Sequence, residues 1–217
     1  MAQPEAFLVD VYETILTADF AQRRHELATM AGVPGPAWNA AFDRLAPALN
    51  VGRLALAEAF EQIIRAHGHD PRPGLVHELV RSERDLLLSS ARLYDDALPF
   101  LEMLRSRGIL IAIVSNCSEN TRPLLSERGI SALADTVVLS CEVGYAKPAP
   151  QVYRYALDQL GVAAEAAVFV DDQSAFCAAA VALGISSVQI VRNEASGRPP
   201  GVGVTVVRSL AQVEAMF

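Results

Sequence analysis

Four small groups of polar residues stand out because each closes or follows a short apolar run. Asp10 ends the first run and is followed by Val11, Tyr12, Glu13 and Thr14. Ser115 and Asn116 close the second, Lys147 lies in Gly144-Tyr145-Ala146-Lys147-Pro148 after the third, and Asp171 and Asp172 close the fourth. Singly, each has an ordinary explanation. Asp10 could cap a turn, Ser115 and Asn116 could begin a helix, Lys147 could be a solvated loop residue, and the acidic pair could cap the next helix. As an ordered set they offer different chemistry. A carboxylate can attack phosphorus or an activated carbon, and two adjacent acids at a buried strand end are costly without a cation.

The elements that must carry these groups are legible from periodicity. Five short runs rich in β-branched residues cover 7–11, 110–114, 136–139, 167–170 and 187–191, with a weaker sixth at 204–207. Runs of this length with little polar alternation suit strands buried on both faces of a parallel sheet. Helical patterns at 98–107, 150–160 and 175–183 lie between them, each followed by a glycine that can terminate a helix. Alternation of this kind predicts an α/β, doubly wound, mostly parallel core of five to six strands, Rossmann-like in form. Such sheets bind ligands beyond the carboxyl ends of their strands, where the polar groups collect.

Residues 17–90 break the rhythm. Helical periodicity dominates at 20–31, 37–45, 55–66 and 75–88, with turn-forming clusters at 32–36 and 68–74. The expected organisation is an α/β core from 1–16 and 91–217 with a helical cap, 17–90, inserted after the first strand. The stretch 193–203, rich in Gly, Pro and Arg, reads as a surface loop.

Bulk properties narrow the partners. Of 217 residues, 52 % are hydrophobic and 20 % charged, which suits a folded domain, and the net charge of −7 disfavours nucleic acid. A small phosphate ester stays admissible, because local dipoles or a metal can reverse the sign inside a pocket. No apolar run approaches the roughly 18 residues that cross a membrane. The three cysteines, Cys117, Cys141 and Cys177, give neither a disulfide framework nor zinc-ligand spacing. With no signal-peptide pattern at the start, a reducing, cytoplasmic setting is expected.

Phe7-Leu8-Val9-Asp10 with Thr14, then Val114-Ser115-Asn116, then Lys147-Pro148, then Phe169-Val170-Asp171-Asp172 resembles, in order, the four motifs of the haloacid dehalogenase-like hydrolases. The insertion resembles the helical cap of the haloacid dehalogenase and phosphoglycolate phosphatase branch. The resemblance implies sheet order 3-2-1-4-5 and Asp10 as a covalent nucleophile in a hydrolase acting on a small molecule. It implies Mg2+ held by Asp10, the Tyr12 carbonyl and Asp172, with Asp171 as a direct or outer ligand. Lys147 would neutralise the nucleophile and phosphate, Ser115 and the Asn116 backbone N–H would hold phosphoryl oxygens, and Thr14 would orient the loop. Capped relatives imply a monomer or homodimer.

Two positions depart from that pattern. The phosphatases of the family usually carry an aspartate, a general acid and base, where this chain has Tyr12. A phenol with an ordinary pKa near 10 donates a proton but is a poor base at neutral pH, so substrates with good leaving groups are favoured. Glu13 replaces a usual glycine and is expected to face solvent. The leading expectation is a Mg2+-dependent phosphatase working through an aspartyl-phosphate at Asp10. Tyr12 makes a 2-haloacid dehalogenase the main alternative, although Asp171 and Asp172 and the lack of an obvious cap arginine near Trp38 speak against it. Arg23, Arg24, Arg44 and Arg53 remain unassigned. A phosphate-binding or regulatory protein with weak turnover is the third reading. His25, His67, His69 and His77 are expected at the surface, and Tyr145, Cys141 and Trp38 in packing roles. Phe176 stands where a polar residue is common.

Overall fold

A computed structural model describes residues 3–192 and 203–217. Six parallel strands form the main sheet: β1 (Ala6–Val9), β4 (Leu110–Ser115), β5 (Thr136–Leu139), β6 (Ala167–Asp171), β7 (Ser186–Ile190) and β8 (Thr205–Val207). Their order is β5-β4-β1-β6-β7-β8, the expected doubly wound pattern extended by the weak sixth strand. β1, β4 and β6 are apolar almost throughout because both faces are covered. Phe7, Val9, Ile111, Ile113, Val168 and Val170 join one buried cluster, and Leu8, Ala112, Val114 and Phe169 the other. Register pairs Val9 with Ile113 and with Val170, so the carboxyl ends of the three central strands finish level with one another.

Between β1 and β4 lie β2 (Leu16–Thr17), α1 (Phe20–Ala31), α2 (Gly35–Leu49), α3 (Leu56–Ala66), α4 (Leu75–Ser90), β3 (Arg92–Leu93) and α5 (Ala97–Ser106). Helices α1 to α4 pack around their own apolar cluster, in which Trp38, Phe60, Ile63 and Leu79 are fully buried. Asp19 caps α1 by accepting the Gln22 N–H at 2.8 Å. Helix α2 runs four residues beyond its expected end, through Pro47 to Leu49. Burial of Leu49 in the bundle outweighs the one backbone hydrogen bond that proline removes. The sequence did not announce β2 and β3. They pair antiparallel, Leu16 with Leu93 and Thr17 with Arg92, and so pin both chain crossings between bundle and sheet together.

After β4 come α6 (Thr121–Glu127), α7 (Ile130–Leu133), α8 (Ser140–Val143), α9 (Pro150–Leu160), α10 (Ser174–Val181) and α11 (Leu210–Glu214). Helix α9 has proline at its first position and Gly161 at φ 67 past its end, a left-handed stop that a side chain would strain. The loop expected at 193–203 falls, except for Gly203, outside the described residues. Among the described residues no helix is long and apolar enough to cross a membrane.

Candidate active site

Asp10 leaves the end of β1 with its N–H still bonded to Val170 O at 2.9 Å. The chain then turns sharply, with the N–H groups of Ile15 and Leu16 both returning to Val11 O at 3.0 Å. Glu13 adopts φ 58 in this turn, a left-handed conformation that costs a side chain about 1 kcal/mol or more. It is not the solvated glutamate expected. Its carboxylate accepts from Tyr94 Oη at 2.9 Å and Thr17 Oγ1 at 2.6 Å, contacts that offset the strain and hold it apart from Asp10. Arg192 braces the turn from behind, donating to Thr14 O at 2.7 Å and to both oxygens of Asp96 at 2.8 Å.

The carboxylate of Asp10 is held from two sides. Thr14 Oγ1 donates to Oδ2 at 3.1 Å and Lys147 Nζ to Oδ1 at 2.6 Å. The same ammonium reaches Asp171 Oδ2 at 2.6 Å and Val114 O at 2.9 Å, so its three protons are all in use. Lys147 is only 3 % exposed. Burial alone would depress its pKa, but the two carboxylates prevail and hold it above the ordinary lysine value. Asn116 fixes the lysine backbone reciprocally, its Nδ2 donating to Lys147 O and its Oδ1 accepting from Lys147 N, both at 2.8 Å. The Asn116 side chain is therefore committed to positioning, and only its backbone is left for the role expected of it.

Oxygens of Asp10, Asp171 and Asp172 all lie within 4.8 Å of one another. Burial pushes Asp10 up to about 6; Lys147 partly offsets it and Asp171 adds to it. Asp171 rises to about 6 through burial, against the pull of Lys147. Asp172 reaches about 6 through burial and then the charge of Asp10. The two neighbours differ in availability. Asp171 spends Oδ2 on Lys147 and accepts the Gln173 N–H on Oδ1 at 2.7 Å, whereas Asp172 lines the cavity. Three hard oxygen donors gathered this closely, two of them on one ammonium, suit a divalent cation.

Ser115 Oγ is buried and finds no nitrogen or oxygen partner among the described residues. A buried hydroxyl left without such a partner at the carboxyl end of β4 is uncommon. Tyr12 turns its hydroxyl toward Thr121 Oγ1, 2.9 Å away, and its ring edge toward Phe20. Burial drives the phenol pKa above its usual value, so it is no base at neutral pH. The cavity holds about 540 Å³ and runs between sheet and bundle. Phe20, Phe42, Trp38, Leu27, Leu49 and Phe176 supply apolar and aromatic wall, with Arg23 and Arg24 beside them.

Sequence reasoning missed the seam beneath this wall. Glu83 of α4, 2 % exposed, accepts from Asn120 Nδ2 and faces Arg23 Nη2 at 3.4 Å. The signal was present. Leu75, Leu79, Glu83 and Leu87 form one buried stripe at intervals of four, and a glutamate inside it demands a partner. Trp38 packs as expected while also lining the cavity, whereas Tyr145 is 47 % exposed. His25, His69 and His77 are exposed and His67 is partly so.

Comparison with known proteins agrees with this geometry. Residues 4–184 match the family of haloacid dehalogenase-like hydrolases. Glyceraldehyde 3-phosphate phosphatase of Methanopyrus kandleri is 34 % identical over 115 residues, 52 % of this chain and 49 % of that protein. (S)-2-haloacid dehalogenase 4A of Burkholderia cepacia is 31 % identical over 144 residues, 66 % of this chain and 59 % of its own length. The chain thus spans about half, or somewhat more, of these curated relatives. The crystal structure of an HAD phosphatase from Thermococcus onnurineus shares the fold at TM-score 0.68, with 23 % identity over 98 % of this chain and 97 % of the other. A doubly wound sheet, a buried lysine clamping two aspartates at its carboxyl edge, and a match over most of the sequence together make the chain a member of the haloacid dehalogenase-like hydrolases.

Proposed function

We propose that the chain is a divalent-cation-dependent phosphatase acting on a small phosphate ester with an apolar, planar body and a good leaving group. The observation that carries this reading is Asp10, clamped by Lys147 and Thr14 within 4.8 Å of two further carboxylates. The helices of residues 17–90 act as the cap over that site. Asp10 and Asp172, with the Tyr12 carbonyl, would hold the cation, and Asp171 would support it through Lys147. Mg2+ suits these oxygen donors, and when bound it supplies positive charge for phosphoryl oxygens.

The chain's own groups do the rest. Asp10 attacks phosphorus, the ester oxygen departs with the bonding pair, and water later hydrolyses the aspartyl-phosphate. Lys147 neutralises charge on the nucleophile, while Ser115 Oγ and the Asn116 N–H receive phosphoryl oxygens. No aspartate stands two residues beyond Asp10 to protonate the departing group, and Tyr12 is committed to Thr121. General acid assistance is worth about 10²–10⁴ in rate, so aryl or acyl phosphates, whose leaving groups need no proton, lose least. The aromatic lining of the cavity fits the same substrates.

Tyr12 also favours a second reading, 2-haloacid dehalogenation, because a departing halide needs no proton. The assay is p-nitrophenyl phosphate and an alkyl phosphate, each with and without Mg2+, alongside halide release from a 2-haloacid. Cation-dependent aryl-phosphate turnover that disappears in Asp10→Asn supports the phosphatase. Metal-independent halide release replaces it with the dehalogenase. Silence in every assay, with cation still bound, makes the chain a binding protein.

A further inference from the structure

We propose that Arg192 is a positioning residue of the active site, acting through the Thr14 main chain to keep the Thr14 hydroxyl on Asp10. The inference rests on Asp10 as the reacting carboxylate, and it is the same whether Asp10 attacks phosphorus or carbon. Arg192 stands two residues past Ile190, the end of β7, and 178 positions from Thr14. Its Nη2 donates to Thr14 O at 2.7 Å and its Nε to the same oxygen at 3.3 Å. Thr14, fully buried, donates its Oγ1 to Asp10 Oδ2 at 3.1 Å. One residue therefore joins the guanidinium to the nucleophile, its carbonyl held on one side and its hydroxyl spent on the other.

The turn that carries Thr14 needs an outside hold. Ile15 and Leu16 return their N–H groups to Val11 O, and Glu13 N donates to Leu16 O at 2.7 Å. None of these bonds reaches Thr14 O, and Glu13 beside it sits at φ 58, where a side chain is strained. Arg192 can supply the hold because it is itself fixed. Nη1 and Nη2 grip Asp96 Oδ2 and Oδ1, both at 2.8 Å, the planar two-point pairing that sets a guanidinium's orientation. Asp96 is tied in turn by the Leu210 N–H at 2.8 Å. Burial alone would raise the Asp96 pKa, but Arg192 and that N–H prevail and hold it below the usual value, so the pair stays charged at neutral pH. The Arg192 side chain is only 9 % exposed.

The same guanidinium also steadies the neighbouring residue of the turn. It lies over the Tyr94 ring, 4.1 Å from the centroid, and Tyr94 Oη donates to Glu13 Oε2 at 2.9 Å. Tyr94 and Asp96 follow β3, where the chain re-enters the core from the bundle. A residue that merely tied the end of β7 to the start of α5 would need Asp96 alone. The two bonds to Thr14 O go beyond that role. A displacement of about 1 Å at a reacting group costs about 10² in rate, so slack in Thr14 is felt at Asp10 as lost turnover.

The test is a double-mutant cycle read in kcat. Arg192→Lys keeps the charge, but one ammonium cannot span Thr14 O and both Asp96 oxygens. It should lower kcat on p-nitrophenyl phosphate about 10-fold while KM stays within about twofold. Thr14→Val, which lacks the hydroxyl, should lower kcat as well. Because Arg192 acts through Thr14, adding Arg192→Lys to Thr14→Val should slow turnover by less than about twofold more. Asp96→Asn, which loosens the grip on Arg192, is the second variant and should follow the same pattern. Where the protein releases halide instead, the same cycle is read on that reaction. Effects that multiply in the double variants overturn the proposal. So does an Arg192→Lys protein that loses urea stability while its folded fraction keeps the wild-type kcat. A wild type inert toward both the phosphate and a 2-haloacid sinks the reading of Asp10 and this inference with it, whereas an active wild type with multiplying effects sinks the inference alone.

Discussion

Replacing Lys147 by methionine tests the centre of the site, because one ammonium holds so much of it. Its Nζ lies 2.6 Å from Asp10 and from Asp171 and 2.9 Å from Val114 O, with the side chain 1 % exposed. Methionine fills similar volume, so packing is largely kept and the lost charge dominates. Removing one partner of a buried ion pair costs about 3–5 kcal/mol, since the other charges stay buried. Protonation supplies the check. Asp10 and Asp171, at about 6 even with the lysine present, lie above the usual carboxyl range and rise further without it. A carboxyl raised on folding binds more protons in the native state. Its contribution therefore favours the fold at low pH and is lost as pH rises through the folded pKa. Urea unfolding should show a loss of about 3–5 kcal/mol for Lys147→Met at pH 8 and a clearly smaller loss at pH 5. A deficit under about 1 kcal/mol at pH 8, or an equal deficit at both pH values, refutes the argument that these carboxylates depend on this cation.

Ser115→Ala should lower aryl-phosphate kcat about 10²-fold while leaving urea stability unchanged or slightly raised, because Oγ has no nitrogen or oxygen partner to lose. Marked destabilisation would assign that hydroxyl a structural role instead. Tyr12→Asp should raise alkyl-phosphate turnover at least 10-fold by restoring an acid and base, and an unchanged rate in the alkyl-phosphate assay counts against the account of Tyr12. Saturating Mg2+ at about 100-fold its Kd contributes about 2.7 kcal/mol, near 5–10 °C in Tm for a chain of this size. That gain should be full at pH 8 and fade as pH falls through about 6, where protons displace the cation from Asp10, Asp171 and Asp172. A pH-independent gain places the cation elsewhere.

The sheet was readable because burial on both faces leaves little room for polar residues, so strands such as Ile111 to Val114 announce themselves. Polar residues at the ends of such strands had to meet at one edge, which is why Asp10, Ser115, Lys147 and Asp171 could be named together. What could not be read was how each side chain is engaged. Periodicity carries no sign of Glu13 binding Tyr94, 81 positions away, or of Arg192 reaching back to Thr14. The two-residue strands β2 and β3 are likewise too short to leave a pattern, yet they fix where the bundle leaves and rejoins the sheet.

The seam has a functional consequence of its own. Arg23 and Glu83 belong to the bundle, while Asn120 and Thr121 belong to the sheet side. Glu83 bonds Asn120, and Tyr12, from the turn after β1, bonds Thr121. The residue that replaces the family's acid and base is thus anchored to the strip of core that also receives the bundle. Burial raises the pKa of Glu83, with Arg23 and Asn120 working against that rise, so the contact between bundle and core rests on a carboxylate that needs both partners. Exchanging Tyr12 for aspartate therefore removes one tie at this seam while adding a proton donor. Its effect on turnover has to be read alongside stability, because only a gain in kcat without loss of folding assigns the difference to chemistry.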